Sequence, residues 1–210
     1  MIFNRTNKKI KKLQKYLTSA QDKIKYAKFI NREIILNAIT PDTAEEVDSL
    51  IRYWNDEAIK NVTDSASKKT IKIYINATDG DIASALMLVD TIKLSKVSVD
   101  TINIGYCLGS AMLVYLAGHK RYAYPNAIFS YKYTNLSAEM GAEEQEPLRF
   151  SLASIDEARL NTIKSLFIEK TKLNESKFLK QINSGFWFTA QTALDQFICN
   201  EILKIHYLSI

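Results

Sequence analysis

Few side chains in this sequence are suited to act as a nucleophile or a proton carrier near neutral pH. There are two cysteines, Cys107 and Cys199, and two histidines, His119 and His206. Both cysteines stand among apolar neighbours (Tyr106 and Leu108; Ile198), which predicts small buried core residues rather than reactive thiols. These four groups give neither a disulfide scaffold nor the close ligand spacing of a zinc site, so no metal and no cofactor is expected. His119 lies beside Lys120 and Arg121 in a tight connection, a surface position, and His206 is a weaker candidate near the end of the sequence. Ser110 follows Gly109 at the start of an apolar stretch, and its hydroxyl needs an adjacent base before it can attack anything.

The elements that must position these groups alternate between strand and helix. Glu33-Ile-Ile-Leu36 reads as a short strand. Thr40-Pro41-Asp42 opens a helix through Val47, Leu50, Ile51 and Trp54, with Pro41 near the first helical position, where its missing N–H costs nothing. Asn61 to Lys69 is a polar loop, and Thr70 to Asn76 alternates as a strand. After the turn Ala77-Thr-Asp-Gly80, apolar residues at 82, 85, 86, 89 and 92 mark a helix over Ile82 to Leu94. Val97 to Ile104 is a β-branched strand ended by Gly105. This strand, helix, strand unit has the length of a parallel crossover. It is followed by an apolar helix, Gly109 to Ala117, and two strands, Arg121 to Tyr124 and Ile128 to Tyr133. An acidic, small-residue excursion occupies Leu136 to Glu146. A long helix then spans Pro147 to Lys172, with shorter helices at Glu175 to Ile182 and Ala190 to Gln196. The expected fold class is a layered α/β domain.

With 210 residues, 47% hydrophobic and 24% charged, the chain is long enough to bury one core unaided. No apolar run approaches the roughly 20 residues that span a bilayer, and no secretory h-region stands at the start, so a soluble cytoplasmic protein without membrane contact is expected. The net charge of +5 is concentrated in residues 1–30, which carry nine Lys or Arg against Asp22 and leave the remainder at −3. Ile10, Leu13, Tyr16, Leu17 and Ile24 follow near-helical spacing there. Residues 1–30 are therefore read as a basic amphipathic arm, packed on a partner subunit in preference to nucleic acid, and residues 31–210 as the folded domain.

Three blocks carry a resemblance. Ile75-Asn-Ala-Thr-Asp-Gly-Asp-Ile82, Lys120-Arg-Tyr-Ala-Tyr-Pro-Asn-Ala127 and Trp187-Phe-Thr-Ala-Gln-Thr-Ala-Leu-Asp-Gln-Phe-Ile198 are similar, in order and separation, to segments of the Clp protease proteolytic subunit (ClpP) family. The resemblance covers residues 32 to 204. It implies a crotonase-like α/β fold of repeated β-α-β units with a helical handle, formed by the excursion and the long helix that follows it. It also implies a ring of seven or fourteen subunits, of one kind or mixed, a Clp ATPase as partner, and peptides or unfolded protein as substrates.

The same resemblance assigns the catalytic positions. Gly105-Tyr-Cys-Leu-Gly-Ser-Ala-Met112 matches the family's nucleophile segment without a gap between Gly105 and Gly118, which puts Gly109 at the serine position and Ser110 one residue later. One helical step rotates a side chain by about 100°, away from the substrate. Counting from Pro125-Asn126 puts the histidine position at Lys132, and counting back from Trp187 puts the aspartate position at Gln181, near Asn183. The backbone N–H groups of Gly80 and Ser110 match the oxyanion hole. The family's first glycine is Asp79 here, whose charge opposes a developing oxyanion. The leading expectation is thus a proteolytically inactive, structural or regulatory ring subunit similar to the non-catalytic ClpR-type members. An active serine peptidase using Ser110 with Lys132 is the alternative. A crotonase-type enzyme holding a thioester enolate lacks an acyl-CoA signature here, and nucleic-acid binding through residues 1–30 ranks last.

Overall fold

The computed structural model describes residues 19–60, 69–134, 146–182 and 185–204. Its first helix, α1 (Ala20–Asn31), starts at a capping box. Asp22 N–H donates to Ser19 Oγ at 3.0 Å, while Ser19 N–H donates to Asp22 Oδ2 at 3.4 Å. The helix buries no residue and touches the domain through Phe29, whose ring lies 5.6 and 5.7 Å from those of Tyr53 and Trp54. The expected helical positions Ile10, Leu13, Tyr16 and Leu17 lie outside the described residues, as do 61–68 of the expected loop, 136–145 of the acidic excursion, Asn183 and His206.

Next come β1 (Glu33–Leu36), α2 (Pro41–Lys60), β2 (Ile71–Ala77), α3 (Ile82–Leu94) and β3 (Val99–Leu108), with β1, β2 and β3 paired in parallel as the crossover pattern requires. Alternation in β2 buries Ile71, Ile73, Ile75 and Ala77. Asp81 caps α3, accepting the Ser84 N–H at 2.7 Å, and the Ser84 hydrogen bonds hold its carboxyl below the ordinary carboxylate range.

β3 departs from expectation, because it does not stop at Gly105. Two asparagine side chains take over where the ladder is irregular. Asn103 Oδ1 accepts the Gly105 N–H and Asn76 Oδ1 accepts the Tyr106 N–H, both at 3.0 Å. The register with β2 shifts between Ile75 and Ala77, and the strand resumes to Leu108. A Cβ on residue 105 would lie 2.6 Å from Asn76 Oδ1, so the glycine makes room for the bridging amide.

Past this bend β3 changes neighbours. Thr101 to Asn103 pair with β4 (Arg121–Ala123), whereas Tyr106 to Leu108 pair with β5 (Ile128–Tyr131). Between β3 and β4 in the chain comes α4 (Ser110–Ala117), all eight residues of which are buried. The rest comprises α5 (Glu146–Lys170), α6 (Glu175–Ile182), β6 (Phe186–Thr189), α7 (Ala190–Asp195) and β7 (Glu201–Ile202). β6 and β7 were not expected from the sequence. β6 pairs antiparallel with β5, and β7 lies parallel to β4, giving the order β1-β2-β3-β4-β7 with β5 and β6 branching from the far end of β3. β5 ends at Tyr131, so Lys132 stands just beyond the strand instead of within it.

Aromatic rings join the long helix to the sheet. Phe167 of α5 lies 5.1 Å from Tyr131, 5.3 Å from Phe178 and 5.5 Å from Phe186, each pair adding about 0.5–1.5 kcal/mol beyond area burial. Arg121 makes a second junction. Its side chain is 5% exposed and donates to the carbonyls of Ile198 (2.9 Å), Phe197 (2.9 Å), Lys170 (3.0 Å) and Gly118 (3.4 Å). Burial pulls its pKa below the usual arginine value.

Candidate active site

Two strand-to-helix turns meet at the end of β3. The first, Thr78 to Asp81, follows β2 and leads into α3. The second is Gly109 alone, between β3 and α4. In α/β sheets of this kind, clefts form at the carboxyl ends of the strands, where backbone N–H groups at helix starts point outward. Gly80 lies against Ile39: the two form an isolated parallel bridge, and Asp81 N–H donates to the Ile39 carbonyl at 2.9 Å. A Cβ on residue 80 would come within 2.6 Å of the Ile39 Cβ, so glycine is required for this close approach.

Gly109 adopts φ +57° and ψ −131°, a conformation suited to glycine, and its N–H donates to the Ser130 carbonyl at 3.0 Å. The space its missing side chain leaves is taken by Asp79: a Cβ at 109 would meet the carboxyl oxygen Oδ1 and lie 2.9 Å from Cγ. Asp79 Oδ1 also accepts the Gly80 N–H at 2.8 Å and faces the Ser110 N–H at 3.5 Å. The structure thus brings the N–H groups of Gly80 and Ser110 to one point, and that point holds the Asp79 carboxylate.

The Ser110 side chain lies elsewhere. It is 1% exposed, and its Oγ has no hydrogen-bond partner among the described residues. Lys132 is exposed, and its Cβ lies 3.5 Å from where a Cβ on Gly185 would sit. Gln181 is half-buried in α6, and the carbonyl of its neighbour Ile182 accepts the Tyr133 N–H at 3.3 Å. The segment Ser130 to Tyr133 therefore runs from the Gly109 N–H, which donates to its first carbonyl, to the Ile182 carbonyl at the end of α6, which accepts from its last N–H, with Lys132 between these two anchors.

The other candidates stand apart from chemistry. Cys107 and Cys199 are both fully buried, as their apolar neighbours predicted, and burial pushes both thiols up, Cys107 well above its ordinary value. His119 is exposed, as its neighbours suggested, and its Nδ1 lies 3.1 Å from the Val99 backbone nitrogen. Among the described residues no group of three or more His, Cys, Asp or Glu is placed to hold a metal, and no helix is long and apolar enough to cross a membrane. Sequence reasoning missed the residues that shape the site without reacting: Ile39 under Gly80, and Asn76 and Asn103 at the bend. Asn103 offers a usable signal, since an amide in a β-branched strand must find partners when buried, and its Nδ2 donates to the Ile128 carbonyl at 3.0 Å.

Comparison with known proteins gives one answer. The family model of the Clp protease matches residues 58–206. The ATP-dependent Clp protease proteolytic subunit of Dehalococcoides mccartyi is 27% identical over 139 residues, 65% of this chain and 67% of that one. Its counterpart in Streptococcus sanguinis is 25% identical over 146 residues, 67% of this chain and 72% of the other. Among solved structures, ClpP1 from Listeria monocytogenes is similar with a TM-score of 0.68 at 23% identity, covering 89% of this chain and 99% of that one. With most of its length matched by the family model, its sheet and helices arranged as in ClpP1 and the three sequence blocks in place, the chain belongs to the Clp protease family and has its crotonase-like fold.

Proposed function

We propose that this chain is a ring-forming subunit of a Clp-type protease that does not itself hydrolyse peptides, and that it acts structurally or regulatorily in a cytoplasmic ring with copies of itself or with active subunits. The observation that carries this reading is Gly109. The position at the head of α4 that matches the family's nucleophile has no side chain, and the adjoining hydroxyl of Ser110 is buried among core residues. The substitutions at Lys132 and Gln181 support it from sequence: neither is an imidazole or a carboxylate, and a serine relay draws most of its rate from nucleophile and base acting together. In this reading Gly109, Lys132 and Gln181 are the degenerate triad positions, the likeness to ClpR-type members extends to function, and a Clp ATPase and unfolded polypeptide are partners of the ring as a whole. Residues 1–30 form an appended basic arm on the domain spanning 31–210.

The purified chain is expected to leave fluorogenic short peptides uncleaved above background and to take up no fluorophosphonate probe, with Ser110→Ala indistinguishable from wild type. Stoichiometric labelling of Ser110 that disappears in Lys132→Ala would sink this reading and establish a serine–lysine peptidase. Assembly is tested separately. Sedimentation at micromolar concentration is expected to show a species of seven or fourteen subunits, and a monomer under all conditions would exclude a ring made of this chain alone.

A further inference from the structure

Resting on the reading above, we propose that Asp79 is a built-in occupant of the anion site of this cleft, closing it to peptide carbonyls and carboxylates by filling the place they would take. Three observations converge. The N–H groups of Gly80 and Ser110 belong to turns thirty residues apart, yet both face Asp79 Oδ1, at 2.8 and 3.5 Å. The same carboxyl group occupies the volume a side chain at 109 would need, its Cγ 2.9 Å from such a Cβ, so Asp79 can take this position only because residue 109 is glycine. Finally, Asp79 is exposed, so the place it fills opens to solvent.

Two convergent backbone donors bind any suitably placed oxygen that carries negative charge, whether an oxyanion or a carboxylate. An occupant tethered by its own backbone competes at an effective concentration on the order of millimolar or above, because it pays no association entropy. A weakly binding peptide is excluded under those conditions. Occupancy is distinct from charge repulsion. A repelling carboxylate acts at a distance and is silenced by removing its charge, whereas an occupying one is silenced only by removing the atoms.

The full chain is titrated by fluorescence anisotropy with a labelled Leu-Leu-Phe peptide bearing a free C-terminal carboxylate, and with the same peptide as its C-terminal amide. Asp79 is not in the left-handed region, so alanine is compatible with its backbone. Asp79→Ala is expected to bind the acid at least 10-fold more tightly than wild type and to prefer it to the amide. Asp79→Asn, whose Oδ1 fills the same place without charge, is expected to stay closed like wild type. Opening by Asp79→Asn to the same extent as Asp79→Ala would overturn the proposal in favour of repulsion, and equal binding by all three chains would overturn it outright. Amide hydrogen exchange gives a ligand-free check, with Gly80 and Ser110 exchanging faster in Asp79→Ala. Failure of the underlying reading looks different, since an active Ser110 appears as probe labelling of wild type, which these titrations do not involve.

Discussion

Arg121→Leu is expected to destabilise the fold by about 3 kcal/mol or more in chemical denaturation, roughly a 6–12 °C fall in melting temperature for a chain of this length. The guanidinium is the shared donor for four carbonyls drawn from three separate parts of the chain: Gly118 after α4, Lys170 at the end of α5, and Phe197 with Ile198 before β7. Phe197, one of these acceptors, holds φ +60°, a left-handed conformation that is unusual for a phenylalanine. Leucine fills part of the volume but leaves these acceptors buried without donors, and an orphaned buried polar group costs about 1–3 kcal/mol. Arg121→Lys is expected to recover little of the loss, because one ammonium cannot reach carbonyls spread around a planar fork. A midpoint for Arg121→Leu within 0.5 kcal/mol of wild type would show that the junction is held by packing alone.

Gly109→Ala should cost about 2–6 kcal/mol, from two sources that a double-mutant cycle separates. A backbone at φ +57° and ψ −131° costs of order 1–3 kcal/mol for a residue with a Cβ, and collision with the Asp79 carboxyl adds a packing penalty of similar size. Only the second source depends on Asp79. On an Asp79→Ala background the nearest remaining neighbour of the new Cβ is the residue 79 Cα at 3.4 Å, an ordinary van der Waals distance. The cost of Gly109→Ala should then fall by about 1–3 kcal/mol, a coupling typical of residues in direct contact. Additivity within about 0.5 kcal/mol would show that the two side-chain positions do not share space.

The elements read from the sequence were those whose burial pattern repeats over ten or more residues or alternates cleanly. α3, α5 and β2 appear within two residues of their expected limits, and α2 opens at Pro41 as expected and runs past Trp54 to Lys60. What stayed hidden depended on pairing. Phe186–Thr189 reads as a short aromatic run leading into a helix and becomes a strand only because β5 lies open beside it. Glu201–Ile202 is too short to carry a period at all. Gly105 looks like a strand end because glycine usually is one, and the two asparagines that carry β3 past it sit 27 residues apart in sequence. At the site, the sequence singled out Gly109, Lys132 and Gln181 only through the family resemblance, and it flagged the charge of Asp79. It was silent on where that carboxyl group lies, since this follows from how two turns, one after β2 and one after β3, pack against each other.

The division of β3 between two neighbours also has a consequence for a chain still leaving the ribosome. Once residue 131 is out, β1 through β5 can pair, but β4 then shows a bare edge until β7 arrives and β5 until β6 does. Roughly eighty residues separate Ala123 from Ile202, and at about 5–20 residues per second they take about 4–16 s to synthesise. The β5 edge is bare for a shorter part of that interval, from Tyr131 until Phe186–Thr189 emerges, and while both are open the nascent domain carries two unprotected strand edges, the kind of surface on which chains join one another out of turn.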